Sequence, residues 1–271
     1  MTDGGVARYT RVMITALTQI TITVGDLDAG IVAMTRLLAR EAAIGEESAT
    51  FQLANTRLEL SLSDSSEGLA GLAFEIDDAA KTYRDAERRA LAPAAPIAFA
   101  ESDASGAQRE GHYIDLDQAA TFGVPIQLIH YGKNRAPLVQ QTSDGAITGL
   151  DHVVIRTTHP NRAAALYGAR LGLDMRLDRT EPKWGSRLMF FRCGDLIVEI
   201  VHDLKDEASD APDRLWGLSW RVADADAAQA RLKQSGFNVS EVRTGRKPGT
   251  RVFTVRDNTL GVSTLIVEPS R

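Results

Sequence analysis

Cysteine is nearly absent from this sequence. The single Cys193 excludes an intrachain disulfide framework, and a chain without disulfides fits a reducing cytoplasm. Cys193 itself precedes Gly194-Asp195, a hairpin-turn signal, and reads as a small packing residue rather than a nucleophile. An excess of positive charge is also missing, since 31 Lys and Arg against 36 Asp and Glu leave a formal net charge of −5. No basic stripe is visible, which argues against nucleic acid as a partner. Nor does any apolar run approach the roughly 18 residues that a membrane-spanning helix needs. Polar side chains interrupt the first 24 residues, whose apolar part alternates like a strand and is unlike a secretory signal.

What the chain has instead is ample core material and a recurring order of elements. Its 271 residues are 44% hydrophobic and 25% charged, which supports two ordinary globular domains. Residues 17–24 alternate with period two and are rich in β-branched side chains, the pattern of a strand. Gly25 and Asp26 end it, Asp28 is placed to cap a helix, and Ile31, Met34, Leu37 and Leu38 fall on one helical face. Short strands are expected at 50–53 and 57–62, with Asn55 in the turn between them. The same β-α-β-β order then returns. It gives strand 71–76, helix 79–91 and strands 112–116 and 125–130, and later strand 150–156, helix 161–171 and strands 187–192 and 196–201. A last copy has strand 218–222, helix 226–235 and strands 251–256 and 263–267. The polar, turn-rich stretch 132–148 is the expected boundary, giving halves 1–140 and 141–271.

The halves also correspond position by position. Gln19 matches His152 (152 − 19 = 133) and Glu59 matches Glu199 (199 − 59 = 140), a drift that loop insertions would cause. FGVPIQLI from Phe122 lines up with LGVSTLIV from Leu260. Self-similarity of this kind is the mark of an internal duplication.

LDHVVIRT and LIVEIV within residues 149–201, four βαβββ units, and a Gly-Val-x-x turn before a closing strand together resemble the vicinal oxygen chelate superfamily. That superfamily includes glyoxalase I, extradiol dioxygenases, methylmalonyl-CoA epimerase, and fosfomycin- and bleomycin-resistance proteins. The resemblance covers residues 17–267. It implies an α+β fold whose tandem βαβββ units curl into two half-open barrels. Units pair one with two and three with four, or one with four and two with three. It also implies a small-molecule substrate or ligand, and either a divalent metal (Zn, Ni, Mn, Co or Fe) or none. Family metal ligands lie on the first and last strands of a unit. Carried over, those positions are Gln19 and Glu59, then Gly71 and Gln127, then His152 and Glu199, then Gly217 and Leu265. Of the two-histidine, one-carboxylate set that leaves an iron open to oxygen, only His152 is retained.

His152 and Glu199 are the leading catalytic pair, because on adjacent strands of one unit they can face each other as metal ligands or as a base and its partner. Gln19 and Glu59 repeat that geometry as a second pocket, and Glu59 inside an apolar strand needs a partner or solvent. Arg156 and Arg221 share strand faces with His152 and Gly217 by period two, which suits them to bind a carboxylate or phosphate. Trp220 is a candidate hydrophobic wall, and Gln127 a candidate amide in the same cavity. The expected activity is that of a glyoxalase- or epimerase-like lyase or isomerase that moves a proton next to a carbonyl. The alternatives are metal-free sequestration of a ligand and a divergent ring-cleaving dioxygenase. Edge-strand pairing makes a homodimer plausible.

Overall fold

The computed structural model describes residues 13–102, 108–132 and 144–270, with the side chains of 101, 102 and 108 left aside. Four units follow one another. The first is β1 (Ile14–Val24), α1 (Leu27–Leu38), β2 (Ala43–Ile44), β3 (Ser48–Gln52) and β4 (Arg57–Leu62). The second is β5 (Gly68–Ile76), α2 (Ala79–Arg88), β6 (Ile97–Ser102), β7 (Gln108–Asp115) and β8 (Ile126–Tyr131). The third is β9 (Ile147–Arg156), α3 (Pro160–Ala164), β10 (Asp174–Glu181), β11 (Ser186–Cys193) and β12 (Leu196–Asp203). The fourth is β13 (Arg214–Val222), α4 (Ala225–Gln234), β14 (Arg243–Thr244), β15 (Arg251–Val255) and β16 (Ser263–Glu268).

These strands form two eight-stranded sheets, ordered β2-β3-β4-β1-β5-β8-β7-β6 and β10-β11-β12-β9-β13-β16-β15-β14. In every unit the last strand runs parallel to the first, and the first strands of two successive units pair antiparallel at the sheet centre. Unit one therefore joins unit two, and unit three joins unit four. The result is the tandem α+β architecture of two half-open barrels. The first sheet ends at Tyr131 and the second begins at Ile147, while the expected division between residues 140 and 141 lies outside the described residues.

Alternation places one face of each sheet under the helices, where Leu17, Ile20, Met34, Leu37, Val153, Ile155, Phe191 and Trp220 join one continuous core. On the first sheet the opposite face lines a cavity of about 510 Å³. Among the described residues no helix is long and apolar enough to cross a membrane.

Three local details differ from the sequence reading. Asp26, not Asp28, caps α1: it has extended backbone, and its carboxylate accepts the Ala29 N–H, leaving Asp28 in the first turn. The third helix starts on a Pro160 turn and continues as π-helical turns over Ala165–Arg170, ending at Gly172 with φ 78°. Strands β2, β6, β10 and β14 have no counterpart in the sequence expectation, and β10 is almost entirely exposed, its Met175 and Leu177 included. Its charges, from Asp174 to Arg179, protect a sheet edge against further pairing.

The two halves are locked by buried polar bonds. Arg40, buried, gives its guanidinium to the Gln52 and Ile147 carbonyls at 2.8 Å each. Asn55, in the turn before β4, donates to the Leu150 carbonyl at 2.8 Å and accepts the Leu150 N–H at 2.9 Å. Its side chain thus acts as one more rung of the ladder on β9, two residues from His152. A Cβ at Gly149 would come within 2.6 Å of Asn55 Oδ1, so that approach requires glycine. Truncating Asn55 to alanine strands both backbone groups, so we expect a loss of about 1–3 kcal/mol in chemical denaturation. A stability unchanged by Asn55→Ala would show that water replaces the amide at no cost.

Candidate functional site

Strand β9 carries the site through an irregularity. Across the β9–β13 pair, His152 lies opposite Ser219 while Leu150 lies opposite Trp220, so Asp151 is an extra residue on β9. A bulge of this kind re-aims side chains and allows neighbours to converge. Asp151 and His152, which strict alternation would send to opposite faces, meet: Asp151 Oδ2 is 2.9 Å from His152 Nδ1. The first half has the same defect at Thr18, between the Leu17/Phe74 and Gln19/Ala73 pairs.

His152 Nε2 faces two further groups. Ser219 Oγ is 2.6 Å away and Glu199 Oε2 is 3.2 Å away. Glu199 reaches it from β12, where Ile197 is the register partner of His152 and Glu199 lies two residues further along the same face. Glu199 is buried, and that burial raises its pKa above the ordinary carboxylate range. The charges of His152 and Arg246 oppose the rise and that of Asp151 adds to it. Burial also pushes Asp151 up, but its hydrogen bond and charge contact with His152, followed by those of Arg221, outweigh it and leave the pKa lowered. An ionised Asp151 accepts the Nδ1–H and turns Nε2 toward Ser219 and Glu199.

The other candidates scatter. Arg221 does not line the site by its charge: it donates from Nε to Asp151 at 3.1 Å and from Nη1 to Asp195 at 3.0 Å, and so holds Asp151 in place. Arg156 is exposed, with its guanidinium 4.9 Å from the Trp216 ring centroid. Trp220 is 1% exposed and belongs to the core under the helices, not to a ligand wall. Gln127 lies in the other half. It donates to Asp115 at 2.9 Å and lines a cavity of about 510 Å³ that also holds Gln19, Arg57, Glu59, Phe99 and Tyr113. There Gln19 is buried between Glu59, to which it donates, and Arg57, from which it accepts. His159 caps α3, and His202 and His130 bond backbone carbonyls.

The register also corrects two pairs of positions. Leu265 partners Ser219 as Ile197 partners His152, so the counterparts of His152 and Glu199 in the fourth unit are Ser219 and Val267, not Gly217 and Leu265. In the second unit Ala73 is opposite Gln19, and Ile129 lies two beyond Gln127, the partner of Ala73. Ala73 and Ile129 instead pack with Tyr131. Each half thus draws its polar pair from one unit only.

Among the described residues no group of three or more His, Cys, Asp or Glu is arranged to hold a metal ion. His152 and Glu199 face a hydroxyl and a valine where a chelating set would need donors, so the residues present do not fit a tightly held divalent ion. Sequence reasoning missed Ser219 and Asp151. A serine inside the apolar run LWGLSWRV is a visible signal for the first, but only the bulge reveals the second.

Comparisons with known proteins agree with this fold. Residues 151–254 match the model of the Glyoxalase/Bleomycin resistance protein/Dioxygenase superfamily. Among curated proteins no significant sequence match is found. Similar solved structures include the Mn(II)-bound glyoxalase from Novosphingobium aromaticivorans, with 14% identity, TM-score 0.73, and coverage of 94% of this chain and 82% of that one. Another is 2,2',3-trihydroxybiphenyl 1,2-dioxygenase from Sphingomonas wittichii strain RW1, with 15% identity, TM-score 0.69, and coverage of 95% and 91%. Homoprotocatechuate 2,3-dioxygenase from Brevibacterium fuscum has 14% identity, TM-score 0.67, and coverage of 96% and 82%. At such identities the likeness is one of fold. Residues 151–254, which hold His152 and Glu199, thus resemble that superfamily in sequence, and the chain as a whole shares the fold of these solved structures.

Proposed function

We propose that the protein is an enzyme of the lyase or isomerase kind, which moves a proton at a carbon adjacent to a carbonyl in a small oxygenated metabolite. The observation that carries this is the buried Glu199 carboxylate, raised in pKa and 3.2 Å from an imidazole whose far nitrogen is fixed by Asp151. A carboxylate raised in this way is a stronger base than an exposed one. Glu199 takes the proton as the C–H bond breaks, and the bonding electrons pass to the carbonyl oxygen. The enolate oxygen is met by the Ser219 hydroxyl, 2.6 Å from His152 Nε2. Return of the proton by Glu199 to the neighbouring carbon completes an isomerisation, and loss of a leaving group from that carbon completes an elimination. No step is routed through a metal, because the donor set is short of one.

The reading is tested by incubating the protein in D2O with a panel of small 2-oxo acids and 2-hydroxy ketones and following deuterium uptake by mass spectrometry. Exchange above the protein-free control supports it, and its absence across the panel removes it. The pH dependence is a second check. The active form has Glu199 ionised, so kcat/KM for exchange rises through the pKa of Glu199. That rising limb is expected above the ordinary glutamate value of about 4.3. A limb at or below that value would contradict a buried base.

A second reading rests on the first-half cavity of about 510 Å³ lined by Gln19, Arg57, Glu59, Asp115 and Gln127. Its size and mixed polar and aromatic lining suit binding of a small ligand without chemistry. Ligand binding that survives Glu199→Gln but is lost in Gln19→Leu would favour it.

A further inference from the structure

We propose that the substrate of the His152–Glu199 site carries an anionic group, bound by Arg246 beside Trp184 where the two edge hairpins of the second sheet meet. The inference rests on the proton-transfer reading for the location of the reacting carbon, and names the kind of molecule brought to it.

Strands β10 and β14 are the outer edges of that sheet. The turn from β10 to β11 carries Trp184, and the turn from β14 to β15 carries Arg246. Although they lie at opposite edges, the Arg246 guanidinium is 4.4 Å from the Trp184 ring centroid, with that of Arg179 at 5.4 Å. The sheet is therefore curled far enough to bring its edges together over the concave face. Arg246 is also close enough to Glu199 to pull its pKa down.

Arg246 is not consumed by the fold. Among the described residues it makes no ion pair and no side-chain hydrogen bond, and the same holds for Arg243, Lys247 and Lys183. Unneutralised cations are thus gathered at this mouth in a chain whose net charge is −5. Trp184 is 39% exposed, so a large apolar ring stands partly in solvent beside two arginines. A guanidinium stacked on an indole keeps its N–H edge free, the geometry that grips a carboxylate or phosphate bidentately.

The test uses 2-oxobutyrate, its uncharged methyl ester and n-butyl phosphate, titrated by calorimetry and by tryptophan emission. An anion is expected to bind in the millimolar range, roughly tenfold or more tighter than the ester, and to weaken with added salt. Preference for 2-oxobutyrate identifies a carboxylate, and preference for butyl phosphate a phosphate. Arg246→Gln should reduce the anion to the affinity of the ester, Arg246→Lys should keep part of it, and the emission change should vanish in Trp184→Phe. No anion binding tighter than the ester, or an Arg246→Gln protein that binds as wild type, overturns the proposal. So does a loss that follows Arg156→Gln instead. Binding that depends on Arg246 in a protein that exchanges no C–H proton would keep this inference and remove the proton-transfer reading. Exchange that is indifferent to Arg246→Gln would do the reverse.

Discussion

Glu199→Gln is expected to lower the rate of deuterium exchange by about 10²–10⁴-fold, the range contributed by a positioned general base. Glutamine keeps the volume and can still bond His152 Nε2, so the geometry of the pair at 3.2 Å survives while the basic oxygen is lost. Folding should not suffer. A buried carboxylate pays for desolvation, which is the main cause of its raised pKa, and a neutral amide at the same place pays less. A group whose folded pKa is raised contributes stability below its unfolded pKa and loses it as pH rises through the folded value. Wild type should therefore lose stability relative to Glu199→Gln as the pH rises past the ordinary glutamate range. Exchange kinetics and thermal unfolding of the two proteins across pH measure both effects. A rate lowered less than about tenfold would remove Glu199 as the base, since general-base losses are larger.

Trp220→Ala is expected to cost about 3–5 kcal/mol of stability, as for large aromatic side chains deleted from a close-packed core. That is a large share of the roughly 5–15 kcal/mol that keeps a domain folded. At 1% exposure Trp220 is among the largest fully buried side chains, and it packs in the core under the helices. Trp216, four residues earlier and 45% exposed, stands as the contrast: its loss should change stability by only about 0.5 kcal/mol or so. Urea denaturation of the two variants separates them. A Trp220→Ala protein within about 1 kcal/mol of wild type would fall outside the range for such deletions. Were it also to lose ligand affinity, Trp220 would become a substrate contact after all.

Much of the architecture was legible because it depends on patterns that survive without partners. Alternation from Leu17 to Val24, the apolar helical face of Met34 and Leu37, and the correspondence of Gln19 with His152 all reflect periodicities of one strand or helix. Strand β10 was not legible, because it is an edge strand whose residues, Met175 and Leu177 included, are almost all exposed among charges. The pairing of His152 with Glu199 was legible, since unit repetition places both on one face of neighbouring strands. The roles of Trp220, Arg221 and Gln127 were not. Period-two counting fails once a bulge shifts the register, and Arg221 is then captured by Asp151 and Asp195.

The amino-acid sequence by itself determined four βαβββ units, the duplication, and the imidazole–carboxylate pair at residues 152 and 199, because each follows from spacing within a short stretch of chain. Tertiary structure alone decided that Ser219 and Val267 stand where the fourth unit corresponds to His152 and Glu199, that Asp151 turns toward His152 at a bulge, and that Arg246 meets Trp184 across the sheet. The physical reason is the same in each case. Register between strands far apart in sequence, and the curl that joins opposite sheet edges, are set by the packing of the whole sheet against its helices. No local stretch encodes them.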